Sequence, residues 1–332
     1  MDYKEILKKY WFTAIIAILL LGGLIFFIGS TLSNKVSSLV NADGQSVVFT
    51  YEDQEYTADE LYNEVYDTFG IGAILPVFEL EVYKGAGEVT KAIESDAKLQ
   101  TDMIIQNLKA QFGESWKDRL DLVLYQTGYL TNTGEKGLHE YITIELVREQ
   151  IEKDYVLANK SYETYFNENG PRLVSHILVR MTDPENPTEE ELAKLEEVKA
   201  AVAAEGAIFS EVASKYSDDG SREQGGSLGI VTKESNKQFV EEFQNLTYSV
   251  GTNETTAWFK TQFGYHIIRV DATTLEDFLA LGNQEIMYNL FQDNPKLRLE
   301  ITWDQIQKQG ITFGNDEKLN KDIIEHYTGT GA

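Results

Sequence analysis

The chain of 332 residues contains no cysteine. That absence excludes disulfides, a thiolate nucleophile, cysteine-ligated zinc and any lipid anchor carried on cysteine. Proline occurs five times and histidine four times. Positive charge is also scarce, with 29 Lys and Arg against 54 Asp and Glu, a net charge of −25. Such a surface repels phosphate backbones and anionic lipid head groups, which argues against nucleic acid as a partner. Its simplest consequence is solubility. The composition, 42% apolar and 25% charged, is globular, and the length predicts two or three structural units. Nothing repeats internally, and only the tail after Tyr327 is of low complexity.

One long apolar run stands out. From Tyr10 to Asn34 no residue is charged, and Trp11 to Ile28 is almost wholly apolar. About 20 such residues span a bilayer core. Lys4, Lys8 and Lys9 precede the run, and Tyr10 and Trp11 sit where an interfacial aromatic belt belongs. Positive charge stays inside, so the expectation is a single-pass anchor with a cytoplasmic N-terminus and an extracytoplasmic remainder. A cleaved signal peptide is the competing reading, opposed by the length of the apolar core. Small-residue sites such as Val40-Asn41-Ala42 lie far from it.

Beyond the run, residues 30–44 are small and polar, as a tether would be. Val47, Phe49 and Tyr51 alternate as a strand, with Gln54-Glu55-Tyr56 as hairpin partner. Thr57 and Glu60 form a capping box opening a helix, and helical spacing continues to the break at Asn169-Gly170-Pro171. From Leu173 the pattern turns mixed. An apolar strand ends at Arg180, an acidic loop follows, and Thr188 with Glu191 caps a long helix. Glycines crowd 220–229, and strand-like runs return at 257–260 and 265–270. Helical spacing resumes from Leu275 onward.

Two histidines fall in strand-like runs of the mixed segment, His176 and His266, with Thr261 five residues before the second. A lone histidine on an apolar strand is more often a hydrogen-bonded core residue than a catalyst. A pair with a nearby hydroxyl raises the case for a shared polar network, because threonine both donates and accepts. The run Tyr216-Ser-Asp-Asp-Gly220 precedes Gly225-Gly-Ser-Leu-Gly229. It fits neither phosphate-binding glycine pattern, and the aspartates can equally be turn formers. Serine hydrolysis is excluded for Ser175 and His176, since adjacent strand residues face opposite ways. His139-Glu-Tyr-Ile-Thr143 lacks the second histidine of a zinc helix.

Four pieces in order, His176-Ile-Leu-Val179, Phe209 to Asp219, Gly225 to Gly229 and Thr261 to Ile268, resemble the parvulin family of peptidyl-prolyl isomerases. The helical flanks and membrane attachment resemble extracytoplasmic foldases of the PrsA type. The resemblance implies that His176, Thr261 and His266 form the family's buried network. It places Asp219 beside the bound prolyl peptide, Leu228 and Phe239 on the wall holding the proline ring, and Phe263 on the rim. It implies no cofactor and no metal. Two departures touch the proline pocket: Gly226-Ser-Leu-Gly229 replaces Gly-Asp-Leu-Gly, and the family's methionine is missing from 233–239.

The expectation is an α+β protein: an all-helical chaperone-like unit plus a parvulin domain of FKBP-like β-α-β construction, preceded by one transmembrane helix. Its segments are a cytoplasmic tail 1–10, an anchor 11–29, a tether 30–44 and a helical region 45–169. The isomerase domain 170–273 follows, then C-terminal helices 274–332 that can pack back on the first helical region. The expected function is isomerisation of Xaa-Pro bonds in unfolded or newly exported polypeptides. The loop after the first strand carries Asp183, Glu185, Glu189 and Glu190, so unphosphorylated segments are the expected substrates. The rival is a holdase whose isomerase scaffold is catalytically degenerate, with tyrosines of the helical region lining a client cradle. Packing between helices explains those tyrosines equally simply. Clients and oligomeric state stay open.

Overall fold

The computed structural model describes residues 39–52, 54–129, 132–314 and 316–329. The expected tail 1–10 and anchor 11–29, and the tether as far as residue 38, lie outside the described residues. Among the described residues no helix is long and apolar enough to cross a membrane. The chain divides into two compact units. One takes the described residues up to Tyr155 and those from Lys296; the other is Val156–Pro295.

The first unit opens with β1 (Leu39–Val40), β2 (Ser46–Tyr51) and β3 (Gln54–Thr57), paired antiparallel in that order. Tyr51 lies opposite Gln54, and Phe49 stacks on Tyr56 with ring centroids 4.5 Å apart. Thr57 then caps α1 (Ala58–Phe69). Its Oγ1 accepts the Glu60 N–H at 3.2 Å, while its own N–H donates to Glu60 Oε2 at 2.9 Å, satisfying helix-end donors reciprocally. Next come α2 (Leu75–Lys84), α3 (Lys91–Phe112), α4 (Trp116–Gln126) and α5 (Gly134–Asn159). Buried positions recur every four residues: Ala97, Thr101 and Ile105 on α3, and Trp116, Leu120 and Leu124 on α4. These stripes close on Leu80, Tyr83, Leu138 and Ile142 in one core.

The second unit begins within α5 and continues through α6 (Glu163–Asn169) and β4 (Arg172–Arg180). There follow α7 (Glu189–Ala203), α8 (Phe209–Tyr216), β5 (Ser227–Val231), α9 (Glu241–Thr247), β6 (Glu254–Thr255), β7 (Phe259–Thr261), β8 (Gly264–Ala272), α10 (Leu275–Ala280) and α11 (Glu285–Asp293). The sheet runs β5-β4-β8-β6 with β7 also on β8, every pair antiparallel. Strand alternation separates two cores. Ile177, Val179 and Ile267 meet Leu195, Val198 and Ala213 of α7 and α8. Val174, Ile268 and Val270 meet Phe243 of α9.

From Lys296 the chain returns to the first unit as α12 (Lys296–Gln309) and α13 (Glu317–Thr328). Val82 of α2 shares a core with Ile306, Ile323 and Tyr327. The Tyr83 hydroxyl lies 2.9 Å from Thr302 Oγ1, Gln309 donates to the Val82 carbonyl at 3.0 Å, and Tyr66 donates to Asp322 at 2.6 Å. The helices over 275–293 therefore belong with the sheet, and only those beyond Lys296 pack on the first helices.

Candidate active site

β4 and β8 are direct neighbours, with His176 opposite Ile268 and His266 opposite Leu178. The period of two puts both imidazoles on one face of the sheet, diagonal to each other. Their ring centroids are 5.8 Å apart and their planes lie within 16°. Both are buried. Thr261, at the end of β7, brings its Oγ1 to 2.8 Å from His266 Nε2. The same oxygen accepts the Phe263 N–H at 3.1 Å. His266 Nδ1 is buried without a hydrogen-bond partner among the described residues. Burial first, then the neighbouring His176, push the His266 pKa down to about 4. At neutral pH this ring is uncharged.

Asp219 approaches the pair from the loop after α8, its Oδ1 3.0 Å from His176 Nε2. The same oxygen accepts the Ser221 N–H at 2.9 Å. Burial alone would raise this carboxyl's pKa, but donation from Ser221 and the adjacent His176 outweigh it and hold Asp219 well below the usual carboxylate range. An ionised carboxylate thus stands, partly exposed, beside His176 at the edge of the imidazole pair. The two residues before it attach the loop to β4. Leu178 N–H donates to Ser217 Oγ at 3.2 Å, Arg180 N–H donates to Asp218 Oδ2 at 2.9 Å, and Lys194 reaches both Asp218 oxygens at 2.6 and 2.7 Å. Asp218 is therefore a fastening, whereas Asp219 faces the network.

Gly226 lies on the other side of His176. The His176 N–H donates to the Gly226 carbonyl at 2.9 Å. At φ +81° a Cβ on Gly226 would stand 2.4 Å from the His176 carbonyl oxygen. Only glycine permits both this backbone conformation and this close approach.

The apolar wall comes from α9 and its approach. Phe243 is buried, with its ring centroid 5.5 Å from His176, 6.1 Å from His266 and 4.7 Å from Phe239. Leu228 and Phe239, both half-buried, join the same cluster. Phe259 lies 5.4 Å from His266, its plane within 19°. The fold thus brings His176, His266, Thr261, Asp219, Leu228 and Phe239 together. Phe263, expected on the rim, donates its N–H to Thr261 and is 43% exposed at the β7–β8 turn. Sequence reading missed Phe243, although its four-residue spacing from Phe239 is the available signal. It also missed Phe259, because an aromatic in a short strand looks like ordinary core.

An aromatic-lined surface with one carboxylate at its rim offers no serine or cysteine nucleophile paired with a base. Among the described residues no group of three His, Asp or Glu side chains is placed to hold a metal ion. The arrangement suits binding an apolar ring and the carbonyl attached to it.

Comparison with known proteins agrees with that chemistry. Residues 164–274 match the PPIC-type PPIase domain model. Over 87% of this chain and 92% of the relative, the foldase protein PrsA of Geobacillus kaustophilus is 29% identical. The PrsA of Halalkalibacterium halodurans is 26% identical over 83% of this chain and 79% of its own. A crystal structure of PrsA from Bacillus subtilis aligns over 86% of this chain and 99% of its own, at 22% identity and a TM-score of 0.38. Residues 164–274 therefore form a parvulin-type peptidyl-prolyl cis–trans isomerase domain, in a chain whose relatives over most of its length are PrsA foldases.

Proposed function

We propose that this chain is a membrane-anchored extracytoplasmic foldase that isomerises unphosphorylated Xaa-Pro bonds in exported polypeptides. The observation that carries the reading is the wall of Leu228, Phe239 and Phe243 beside the His176–His266 pair, with ionised Asp219 at its edge. The reaction needs no more. Rotation about an Xaa-Pro bond has a barrier of about 18–20 kcal/mol and breaks no bond. A dry wall that grips the ring and favours the twisted imide over either planar form lowers that barrier by differential binding. In this reading Leu228, Phe239 and Phe243 hold the ring, and the His176–Thr261–His266 network fixes the strands beneath. Asp219 acts electrostatically on the rotating carbonyl. The acidic loop over 183–191 disfavours phosphoserine. The apolar run over 11–29, preceded by three lysines, supports the anchor and its orientation.

NMR exchange spectroscopy on a panel of unphosphorylated Xaa-Pro peptides tests the reading. Acceleration should be present with the full chain and lost in Asp219→Ala and in the His176→Ala, His266→Ala double variant. Unchanged turnover in the double variant would remove the network from the mechanism. One feature favours the rival holdase. The segment 233–239 lacks the methionine that the resemblance places in the proline pocket. Client protection by the full chain without any peptide turnover would establish that second reading.

A further inference from the structure

A second cavity adjoins the network. It measures about 360 Å³ and is lined by Pro184, Glu185, Glu242, Lys260, Thr261 and Gln262. Two of these residues tie it to the isomerase site. Thr261 is the hydroxyl partner of His266, and Glu242 directly precedes Phe243, whose ring packs on both imidazoles. A peptide with its proline ring against Phe243 therefore carries a neighbouring residue's side chain past this opening.

The charge of the cavity selects that side chain. Lys260 is its one cation, and its Nζ already lies 2.7 Å from Glu185 Oε1. The hydrogen bond to Glu185 holds the Lys260 pKa above its ordinary value, so that pair is internally neutral. Glu242 has no ion-pair partner among the described residues. An anionic side chain would have to displace Glu185 from Lys260 and then face Glu242. A cationic one meets an unpaired carboxylate without breaking anything. Arg180 on β4 does not line the opening.

We infer that Glu242 is a specificity-determining residue, and that the site prefers substrates with lysine or arginine next to the isomerised proline. This rests on the isomerase reading above. Glu185 and Lys260 form the charge-neutral far wall. Glu242 is exposed, and an exposed ion pair of this kind gives a preference of about 1.5- to 5-fold, reduced by salt.

The test uses the full chain and matched peptides carrying Lys, Ala or Glu immediately before proline, with a second set carrying them immediately after. The expected result is a kcat/KM order of Lys above Ala above Glu in at least one set, flattening in high salt. Glu242→Gln should bring the Lys-to-Ala ratio to about one, and Glu242→Lys should invert the Lys-to-Glu order. Turnover of the Ala peptides with no Lys preference in either set overturns the inference and leaves the isomerase intact. If no peptide is turned over, the isomerase reading falls, and binding of the same peptides followed through backbone amide shifts decides the cavity. Tighter Lys-peptide binding with shifts at Glu242, Thr261 and Gln262 supports the cationic pocket, and equal affinities overturn it.

Discussion

Each unit buries a polar cluster, and the two solve the problem in opposite ways. In the sheet-bearing unit His266 is kept neutral, chiefly by burial, and Thr261 lies at hydrogen-bond distance from it. In the helical unit the buried groups are joined as ion pairs. Glu152, only 5% exposed, receives Arg148 at 3.2 Å and Arg298 at 3.4 Å. Arg148 also reaches Glu79 at 3.5 Å and lies over the Tyr83 ring at 4.9 Å, while Tyr327 donates to Glu79 at 3.0 Å. Burial by itself would lower the Arg148 pKa, but Tyr83 and the carboxylates of Glu152, Glu145 and Glu79 more than reverse it. A neutral His266 keeps charge away from the apolar wall beside it. The charged cluster of the helical unit fastens α2, α5, α12 and α13 together, and removing one member leaves the others exposed to the full desolvation penalty.

The largest expected effect follows from that last point. Arg148→Met strands Glu152 and Glu79 without their shared guanidinium and should cost about 3–5 kcal/mol of unit stability in urea unfolding. A loss below about 1 kcal/mol would show that the cluster is solvated, and the contrast between the units would collapse.

Acidity should separate the units more gently. The folded-state pKa of His266 is depressed to about 4 from an ordinary 6.5. The unfolded chain therefore binds a proton that the folded chain refuses, and stability is lost as pH falls from 6.5 toward 4. The full difference is about 3 kcal/mol. Asp219, also depressed, adds a loss in the same direction at lower pH. In the helical unit Glu145 and Glu149 are raised, both chiefly by burial. Their contribution is present in acid and lost as pH rises through their folded values. Residue-resolved amide exchange between pH 7 and 4.5 should show protection falling in β4 and β8 before it falls in α5. A common decline would break the comparison.

A single backbone position probes how far the histidine network depends on close packing. Gly226→Ala forces a side chain into left-handed backbone against the His176 carbonyl, at a cost of about 1–3 kcal/mol from strain alone. Isomerase turnover should fall with it. Retained turnover with unchanged stability would show that the β4–β5 contact can open without disturbing His176.

What could be read ahead of the structure depended on how local the cause was. The capping boxes at Thr57 and Thr188 and the β2–β3 hairpin follow from spacings over a few residues, whereas the shared face of His176 and His266 depends on the β4–β8 register. The division of the last helices is not local either. Whether the segment 275–293 packs on the sheet or on α2 is decided by tertiary contacts such as Phe278 against Phe166, ring centroids 6.2 Å apart, and both sets of helices present apolar stripes. Phe243 escaped for a related reason. Its importance comes from two imidazoles on other strands, and the run Lys237-Gln-Phe-Val-Glu-Glu-Phe243 offers two equivalent phenylalanines until the fold buries one of them. Asp218 and Asp219 are likewise indistinguishable until one meets Lys194 and the other His176.

The smallest effect is the one that best distinguishes pairing from crowding in the helical unit. Glu79, Glu145, Glu149 and Glu152 gather around Arg148 and Arg298, so carboxylates outnumber guanidiniums. The surplus appears as the raised pKa of Glu145, caused first by burial and opposed by Arg148. Glu145→Gln keeps the shape and removes one negative charge whose burial is incompletely compensated. At neutral pH it should therefore stabilise the unit by a few tenths of a kcal/mol, within the usual range for a partly exposed charge. The gain should vanish in acid, where Glu145 already carries a proton. A loss at neutral pH would mean that Arg148 needs this third carboxylate, making the cluster one balanced network and not a core pair with crowded neighbours.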